Sequence, residues 1–358
     1  MSPTIKDLAR VLNLAPSTIS MALNNNPKIS KETRKKVQAI AKRMNYRPNI
    51  IARAMVRKKT NLIGLLITDV MSSFFPQVIE GIEEVVSEHF YSVLLCSPNL
   101  DPHREFEYLN LLKQKRVDSI IADPIVGKAN VKIWSQFHSL KIPVVFILTR
   151  PPIENGIFVG VDNIKGGWLA GDHLVNMGRR VIAHLGGPKH LETSQHRKSG
   201  FIKALKDHNI EVHQSLIIEG DFNWESGYRG MKTLLERESN LDAVFCASDI
   251  SAIGASYAIR EAGLKVPDDI AIVGFDDLFI AAIAEVPLTT IAQPKYELGV
   301  IAGQKLLAMM DGKKVESEIL EPKLRVRYSC GHKDKIPLRE GIALDFDANF
   351  PLRRAQLG

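Results

Sequence analysis

Fourteen lysines and arginines stand among the first sixty residues, against two acids, Asp7 and Glu32, a net of +12. The 358-residue chain totals +7, so the remainder carries −5, 33 basic against 38 acidic residues. Inside the basic stretch Pro16, Ser17, Ser20 and Met21 recur at a spacing that places them on one side of a helix. Cations neutralise phosphates and small polar groups reach base edges, so the chemistry indicated is nucleic-acid recognition. Elsewhere, reactive types are scattered. The ten histidines show no pairing of metal or triad type, and His184 reads as a core or sheet residue. Cys96, Cys246 and Cys330 lie far apart, which suits packing in a reducing compartment. There is no Gly-x-Ser-x-Gly, no P-loop and no zinc spacing, and Gly186-Gly187 reads as a strand-to-helix turn. Catalysis, a cofactor and a metal are not expected.

The elements that must hold the basic residues are short helices. Thr4 caps one running to about Asn13, with Ile5, Leu8, Ala9 and Leu12 inward. A break is expected at Leu14-Ala15. Pro16 suits the first position of a second helix, to Leu23, because that position leaves its N–H unpaired anyway. This helix buries Ile19, Ala22 and Leu23. Ser30 caps a third, with Val37, Ile40, Ala41 and Met44 inward and Lys31, Arg34, Lys35, Lys36, Lys42 and Arg43 outward. Two short helices across a tight turn make a helix-turn-helix, whose second helix fits a major groove. Pro48 then resets the chain. Residues 49–57 are too few to be helical alone in water. They read as a flexible linker when free and as a helix with a partner or in DNA, where Met55 can wedge between base steps.

Beyond residue 60 strands and helices alternate. Strands are predicted at Leu62–Thr68, Ser92–Cys96, Ser119–Ala122, Val144–Leu148, Val181–Leu185, near Leu216–Glu219, at Ala243–Ala247 and at Ile270–Phe275. Helices are predicted at Gln77–His89, Arg104–Gln114, Gly166–Met177, Gln195–Asn209, Trp224–Glu236 and Ile250–Ala262. The pattern restarts after VDNIKGG, so two α/β subdomains with parallel sheets and a cleft between them are expected. Ligands in such sheets bind at the carboxyl ends of strands. Phe74 and Phe75 follow the first strand and fit a sugar face, a flat base or the core. Thr149 and Arg150 end another strand. Neither a signal peptide nor a membrane-length apolar run is present, so a cytoplasmic, nucleoid-associated protein is expected.

Over residues 4–330 the chain resembles the lac-repressor (LacI/GalR) family, through TIKDLAR, STISMALN, ISKETRKKV, YRPNIIARAM, TNLIGLLITD, VDSIIA, VDNIKGG, SDISAIGA, VPDDIAIVGFDD and PLTTI. The resemblance implies a head at 1–47, a hinge helix at 48–60, a periplasmic-binding-protein-like body at 61–330 and an extension at 331–358. Within the body it implies subdomains of about 61–161 plus 291–322 and about 162–290 plus 323–330, with hinges near 161, 290 and 322. It implies a DNA-facing set of Thr4, Pro16, Ser17, Thr18, Ser20, Met21, Asn24 and Tyr46 in the head, and Asn49, Ala52, Arg53 and Met55 in the linker. Ala15 stands where the family usually has a serine cap, and Met21 where arginine is frequent. In the cleft the resemblance implies Arg197, Phe222, Ser248 and Asp276 as ligand contacts, with Thr193 on the loop before Arg197. Thr149 departs from the family's aspartate, and Arg150 keeps its arginine.

The function implied is a ligand-responsive regulator, most simply a repressor. It would bind a pseudo-palindromic operator as a homodimer, with a sugar or sugar derivative as effector and no membrane partner. A sugar receptor without DNA function, or a purine- or nucleoside-responsive regulator, are the alternatives. Arg197→Ala and Asp276→Ala are expected to lose ligand response with folding kept. The 331–358 tail, broken by Pro337 and Pro351, carries no leucine heptad for a coiled coil.

Overall fold

The computed structural model describes residues 3–46, 59–125, 130–151 and 153–331. Asn49, Ala52, Arg53 and Met55, with most of the expected linker helix and the tail after 331, lie outside the described residues. The chain divides into two units, Met1–Asn61 and Leu62–Gly358.

The first unit holds α1 (Ile5–Leu12), α2 (Pro16–Leu23) and α3 (Lys31–Arg43). α1 starts on a reciprocal capping box. The Thr4 amide and hydroxyl donate to Asp7 Oδ2 at 2.9 and 2.7 Å, and the Asp7 amide donates back to Thr4 Oγ1 at 3.4 Å. These bonds hold the Asp7 carboxyl below its usual range. α1 stops at Asn13, which takes the left-handed conformation (φ 49°) that a short polar side chain tolerates. The break spans Asn13 to Ala15 and so includes Leu14-Ala15 as expected. α2 has no side-chain cap, since Ala15 offers no acceptor; an absent cap costs about 1 kcal/mol. α3 starts where Ser30 Oγ accepts from the Thr33 amide at 3.2 Å. Leu8, Ile19, Ala22, Val37 and Ala41 form the core, and Leu23, Ile40 and Met44 pack at its edge. Arg34, expected outward, is half-buried and donates to the Asn25 carbonyl at 3.2 Å, bracing the loop between α2 and α3.

The second unit contains two six-stranded sheets. Its elements in order are β1 (Leu62–Leu66), α4 (Phe75–Glu88), β2 (Ser92–Cys96), α5 (Pro102–Gln114), β3 (Ser119–Ala122), α6 (Val131–Ser139), β4 (Val144–Ile147) and β5 (Ile157–Val161). Then come α7 (Asn163–Asn176), β6 (Ile182–Leu185), α8 (Glu192–Asp207), β7 (Ile217–Ile218), α9 (Trp224–Arg237), β8 (Ala243–Cys246), α10 (Asp249–Glu261) and β9 (Ala271–Asp276). The last are α11 (Phe279–Ile283), β10 (Thr289–Ala292), α12 (Lys295–Met310), β11 (Glu318–Leu320) and β12 (Lys323–Arg325). The first sheet runs β11-β5-β4-β3-β1-β2 and is parallel throughout. The second runs β12-β10-β9-β8-β6-β7, with β12 antiparallel at its edge. The chain crosses between sheets after Val161, after Ala292 and between Leu320 and Lys323. The second crossing follows β10, near 290 as expected. Sequence patterning missed α6 and β5 and, beyond residue 276, α11, β10, α12 and β11.

Helices pair over the sheets through reciprocal glycines. A Cβ on Gly200 of α8 would lie 1.9 Å from the Ile164 carbonyl oxygen of α7, and one on Gly167 of α7 1.9 Å from that of Arg197. Gly227 and Gly254 do the same for α9 and α10, as do Gly81 and Gly299 for α4 and α12. Close backbone approach, not freedom of φ, is what these glycines provide. His184 of β6 is buried, with Phe201 and Phe245 stacked at 5.4 and 4.9 Å. Burial first, against its bond to the Phe245 carbonyl, pushes the imidazole down to about 4, so it is a neutral core residue.

Candidate nucleic-acid interface and ligand cleft

On α2 the residues expected to read DNA fall on the outer side. Pro16, Ser17 and Asn24 are exposed, and Thr18, Ser20 and Met21 are half-buried, opposite Ile19 and Ala22 in the core. Asn24 Nδ2 donates to the Ser20 carbonyl at 2.7 Å, which fixes its side chain along the helix. Thr4 contributes its hydroxyl to the cap of α1, so its oxygen is engaged within the head. Tyr46 packs partly against the head core. Lys31, Lys35, Lys36, Lys42 and Arg43 line the exposed side of α3. The arrangement presents a short helix with small polar and apolar side chains, flanked by cations.

The carboxyl ends of the two sheets of the second unit face each other. Leu278, just after β9, packs into the core cluster that contains Phe74, Phe75 and Ile67 of the first half. Arg150, after β4, donates from Nε to Glu192 Oε1 of α8 at 3.1 Å. Arg150 is thus an exposed rim residue that ties the halves together. Phe74 and Phe75 meet edge to face at 5.6 Å, and both are buried in the first-half core. Of the readings open for this pair, packing is what the structure displays.

Arg197 and Asp276 form the polar centre of the second wall. Arg197 is 7% exposed and Asp276 9%. The guanidinium donates from Nε to Asn163 Oδ1 at 2.8 Å and from Nη1 to the Ala247 carbonyl at 2.6 Å. Nη1 lies 3.4 Å from Asp276 Oδ1. The guanidinium carbon sits 3.8 Å from the Phe275 ring centroid and 5.3 Å from that of Phe222. Reciprocal glycine contacts set the depth of α8 against α7 and so bring Arg197 to Asn163. Asp276 has φ 108°, and Gln293 Nε2 donates to its Oδ1 at 2.6 Å. Burial raises the Asp276 carboxyl, opposed by the charges of Arg197 and Lys295. Arg197 is thus held by the fold through Asn163 and the Ala247 carbonyl as well as lying beside Asp276.

Three other sequence candidates take different places. Ser248 caps α10. Its hydroxyl accepts from the Ser251 amide at 3.1 Å and donates to the Phe222 carbonyl at 2.8 Å, so its hydrogen bonds are internal. Thr193 lies in the first turn of α8, not on the preceding loop. Phe222 is half-buried at φ 58°, and its ring fills the space a Cβ on Gly187 would need, 2.1 Å away. Gly186-Gly187 is therefore the seat of an aromatic ring, in line with its reading as a turn.

Sequence reasoning missed several buried ionisable groups, among them Lys295, Asp249 and Asp123. Lys295 starts α12 and donates to the carbonyls of Asp276 and Asp277. Asp249 is fully buried and accepts from the Leu278 amide at 2.7 Å and the Thr290 hydroxyl at 2.5 Å. Burial, then the Asp276 charge, pushes Asp249 up to about 8. Asp123 follows β3 and is 5% exposed. The Thr68 hydroxyl donates to its Oδ2 at 3.2 Å. Burial pushes Asp123 up to about 7 against the pull of Thr149 and Thr68. An acid directly after the apolar run SIIA was the available signal for Asp123. Thr149, which stands where an aspartate was expected, is a neighbour of this carboxyl.

Among the described residues no helix is long and apolar enough to cross a membrane, and no cluster of His, Cys, Asp and Glu is placed to hold a metal.

Residues 4–49 match the model of bacterial regulatory proteins of the lacI family, and residues 171–330 that of the periplasmic binding protein-like domain. The HTH-type transcriptional regulator DegA of Bacillus subtilis (strain 168) is 35% identical over 332 residues, 92% of this chain and 98% of that protein. The lac repressor dimer bound to operator and the anti-inducer ONPF superposes with a TM-score of 0.84 at 26% identity, covering 92% of this chain and 99% of that one. The transcriptional regulator CelR in complex with cellobiose gives 0.70 at 27% identity, covering 91% and 99%. Identity of this order along almost the full length of a relative, joined to the same order of head and binding fold, means that the chain belongs to the lacI family of bacterial regulatory proteins, DNA-binding transcription regulators and not enzymes.

Proposed function

We propose that this chain is a repressor that binds a pseudo-palindromic operator as a homodimer and is controlled by a sugar or sugar derivative in the cleft between its two α/β halves. The observation that carries the effector reading is the buried Arg197–Asp276 pair, Arg197 on α8 and Asp276 at the end of β9, beside the half-buried Phe222 ring. A hydroxyl both accepts and donates, and that pair offers one partner of each kind. An unpaired buried polar group costs roughly 1–3 kcal/mol, which rewards a ligand that completes both. The cellobiose complex of a relative of similar fold supports the same class.

For DNA, α2 supplies Pro16, Ser17, Thr18, Ser20, Met21 and Asn24 to the major groove, and Thr4 and Tyr46 lie at its margins. Asn49, Ala52, Arg53 and Met55 act from the linker in the minor groove. Met21 cannot make the bidentate contact of an arginine to guanine and offers apolar contact to a thymine methyl instead. Two chains pair through the second unit, where Val70, Met71, Phe90 and Leu95 on the first half and Phe279, Ile280 and Ile283 on the second are exposed apolar residues. Effector changes the relation of the halves at the three crossings and thereby the spacing of the paired linkers. It must bind the two arrangements with different affinity to do so.

Labelled operator DNA incubated with the protein and candidate sugars tests the reading. Retardation that is steeply salt-dependent and changed by a sugar is expected. Sugar binding without operator binding would leave only the receptor reading.

A further inference from the structure

β6, β7 and the first turns of α8 frame a small crevice in the second half of the body, lined by His184, Ser194, Gln195, Lys198, Ile218 and Glu219 among others. Two of these are buried polar side chains, His184 at 0% exposed and Ser194 at 3%. Neither His184 Nε2 nor Ser194 Oγ has a hydrogen-bond partner among the described residues. His184 Nδ1 lies 3.0 Å from the Phe245 carbonyl oxygen. A carbonyl only accepts, so Nδ1 carries the proton. The imidazole is neutral, and Nε2 therefore keeps a bare lone pair. Ser194 Oγ can donate as well as accept. Arg197, three residues further along α8, does not line the crevice; its guanidinium goes to Asn163 and the Ala247 carbonyl. The crevice is thus separate from the Arg197–Asp276 site.

Size and charge decide what fits. The crevice leaves about 10 Å³ for the centre of a water-sized molecule, and one water needs roughly 10–15 Å³ on that measure. A phosphate group or a sugar ring is too large. The start of α8 and Lys198 suit an anion, but the Nε2 lone pair repels one. Lys198 and Arg197 already set positive charge against His184, which disfavours an ammonium ion. A neutral molecule of one heavy atom that donates to Nε2 and accepts from Ser194 meets every condition. We infer that the crevice is a binding site for a single internal water, bridging His184 Nε2 of β6 to Ser194 Oγ of α8. Gln195 and Glu219 carry acceptors for its second O–H. One molecule then satisfies two buried groups, each of which is costly unpaired. The bridge fastens the first turn of α8, just ahead of Arg197, to the second sheet. It also holds the His184 ring between Phe201 and Phe245 from its free edge.

The test starts from crystals of the full-length protein at high resolution, grown without and with added phosphate or ammonium. One density peak within about 3.2 Å of both Nε2 and Oγ is expected, unchanged in height by either salt. Nitrogen-15 NMR of the full chain should show His184 protonated at Nδ1, with the Nε2 resonance displaced upfield by an accepted hydrogen bond. A magnetisation-transfer peak should connect water to the His184 ring. Ser194→Ala removes one partner of the water, so Nε2 should move downfield and the transfer peak weaken severalfold. Because one water serves both groups, Ser194→Ala and His184→Phe together should lower the melting temperature by less than the sum of their separate drops. A direct His184–Ser194 hydrogen bond, no peak, a peak that grows with phosphate or ammonium, an unmoved Nε2 in Ser194→Ala, or additive drops overturns the inference. If His184→Phe does not fold, the density peak and the Nε2 shifts of wild type and Ser194→Ala decide alone.

Discussion

Arg197→Ala should be the most damaging single change in the second half of the body. The guanidinium makes two charge-assisted hydrogen bonds, at 2.8 Å to Asn163 and 2.6 Å to the Ala247 carbonyl. Each is worth about 1.5–3 kcal/mol. It also lies against the Phe275 ring and faces Asp276. Truncating one member of a buried pair costs about 3–5 kcal/mol, because the other charge is stranded. Asp276 limits the loss by taking a proton. Burial already raises this carboxyl, and Arg197 is the first of the groups that lower it. Without Arg197 its folded pKa climbs further above the unfolded value. A carboxyl of that kind binds more protons folded than unfolded, so stability falls as pH rises from the unfolded value through the folded one. The cost of Arg197→Ala should therefore be larger at pH 8 than at pH 5. Urea unfolding of both chains at the two pH values measures it. Adding Asp276→Asn should recover about 1–3 kcal/mol at pH 8, since the stranded charge is gone. A cost below about 1 kcal/mol, or one equal at both pH values, would refute the reading of Arg197 as a structural anchor.

Three further outcomes follow from the same physics. Asp249→Asn should be tolerated better as pH rises from 5 to 9: the carboxyl pushed up to about 8 destabilises the fold progressively once ionised, whereas the amide can still accept from Leu278, and the Thr290 hydroxyl can rotate to accept from it. Denaturation midpoints across that range check the sign. Gly200→Ala should destabilise by about 3 kcal/mol, because its Cβ would meet backbone at 1.9 Å and α7 and α8 must part; calorimetry reads the drop in melting temperature. Met21→Arg should change the preferred operator toward guanine at the bases it faces, with little effect on salt dependence, and an unchanged site in a selection from random DNA removes Met21 from the reading set.

The head was legible almost residue by residue in the chain. Its cues are local: Thr4 before α1, Pro16 opening α2, Ser30 before α3, and apolar residues at helical spacing. The break between α1 and α2 is local as well, with Asn13 left-handed and Leu14-Ala15 leading into Pro16. The alternation of the body likewise fixed two parallel sheets, because buried strands are short apolar runs between amphipathic helices. The reading placed no element at α6 or β5, nor at α11, β10, α12 and β11.

The cleft belongs to tertiary structure. Arg197 and Asp276 were marked in the sequence by family resemblance, yet the sequence did not tell that the arginine is held by Asn163 and Ala247, 34 and 50 residues away along the chain. Asp123 sits 55 residues from Thr68 and meets it only because β3 pairs with β1. That Ser248 caps α10 was likewise not legible in the sequence. Periodicity reports which face of an element is buried, and that is decided within a few turns of chain. A buried carboxyl's partners, its protonation and its unfilled valence depend on what other strands deliver to the same point in space. For this protein the sequence determined the class, a basic reading head joined to a two-sheet binding body. Only the folded chain decided which polar groups are satisfied by one another.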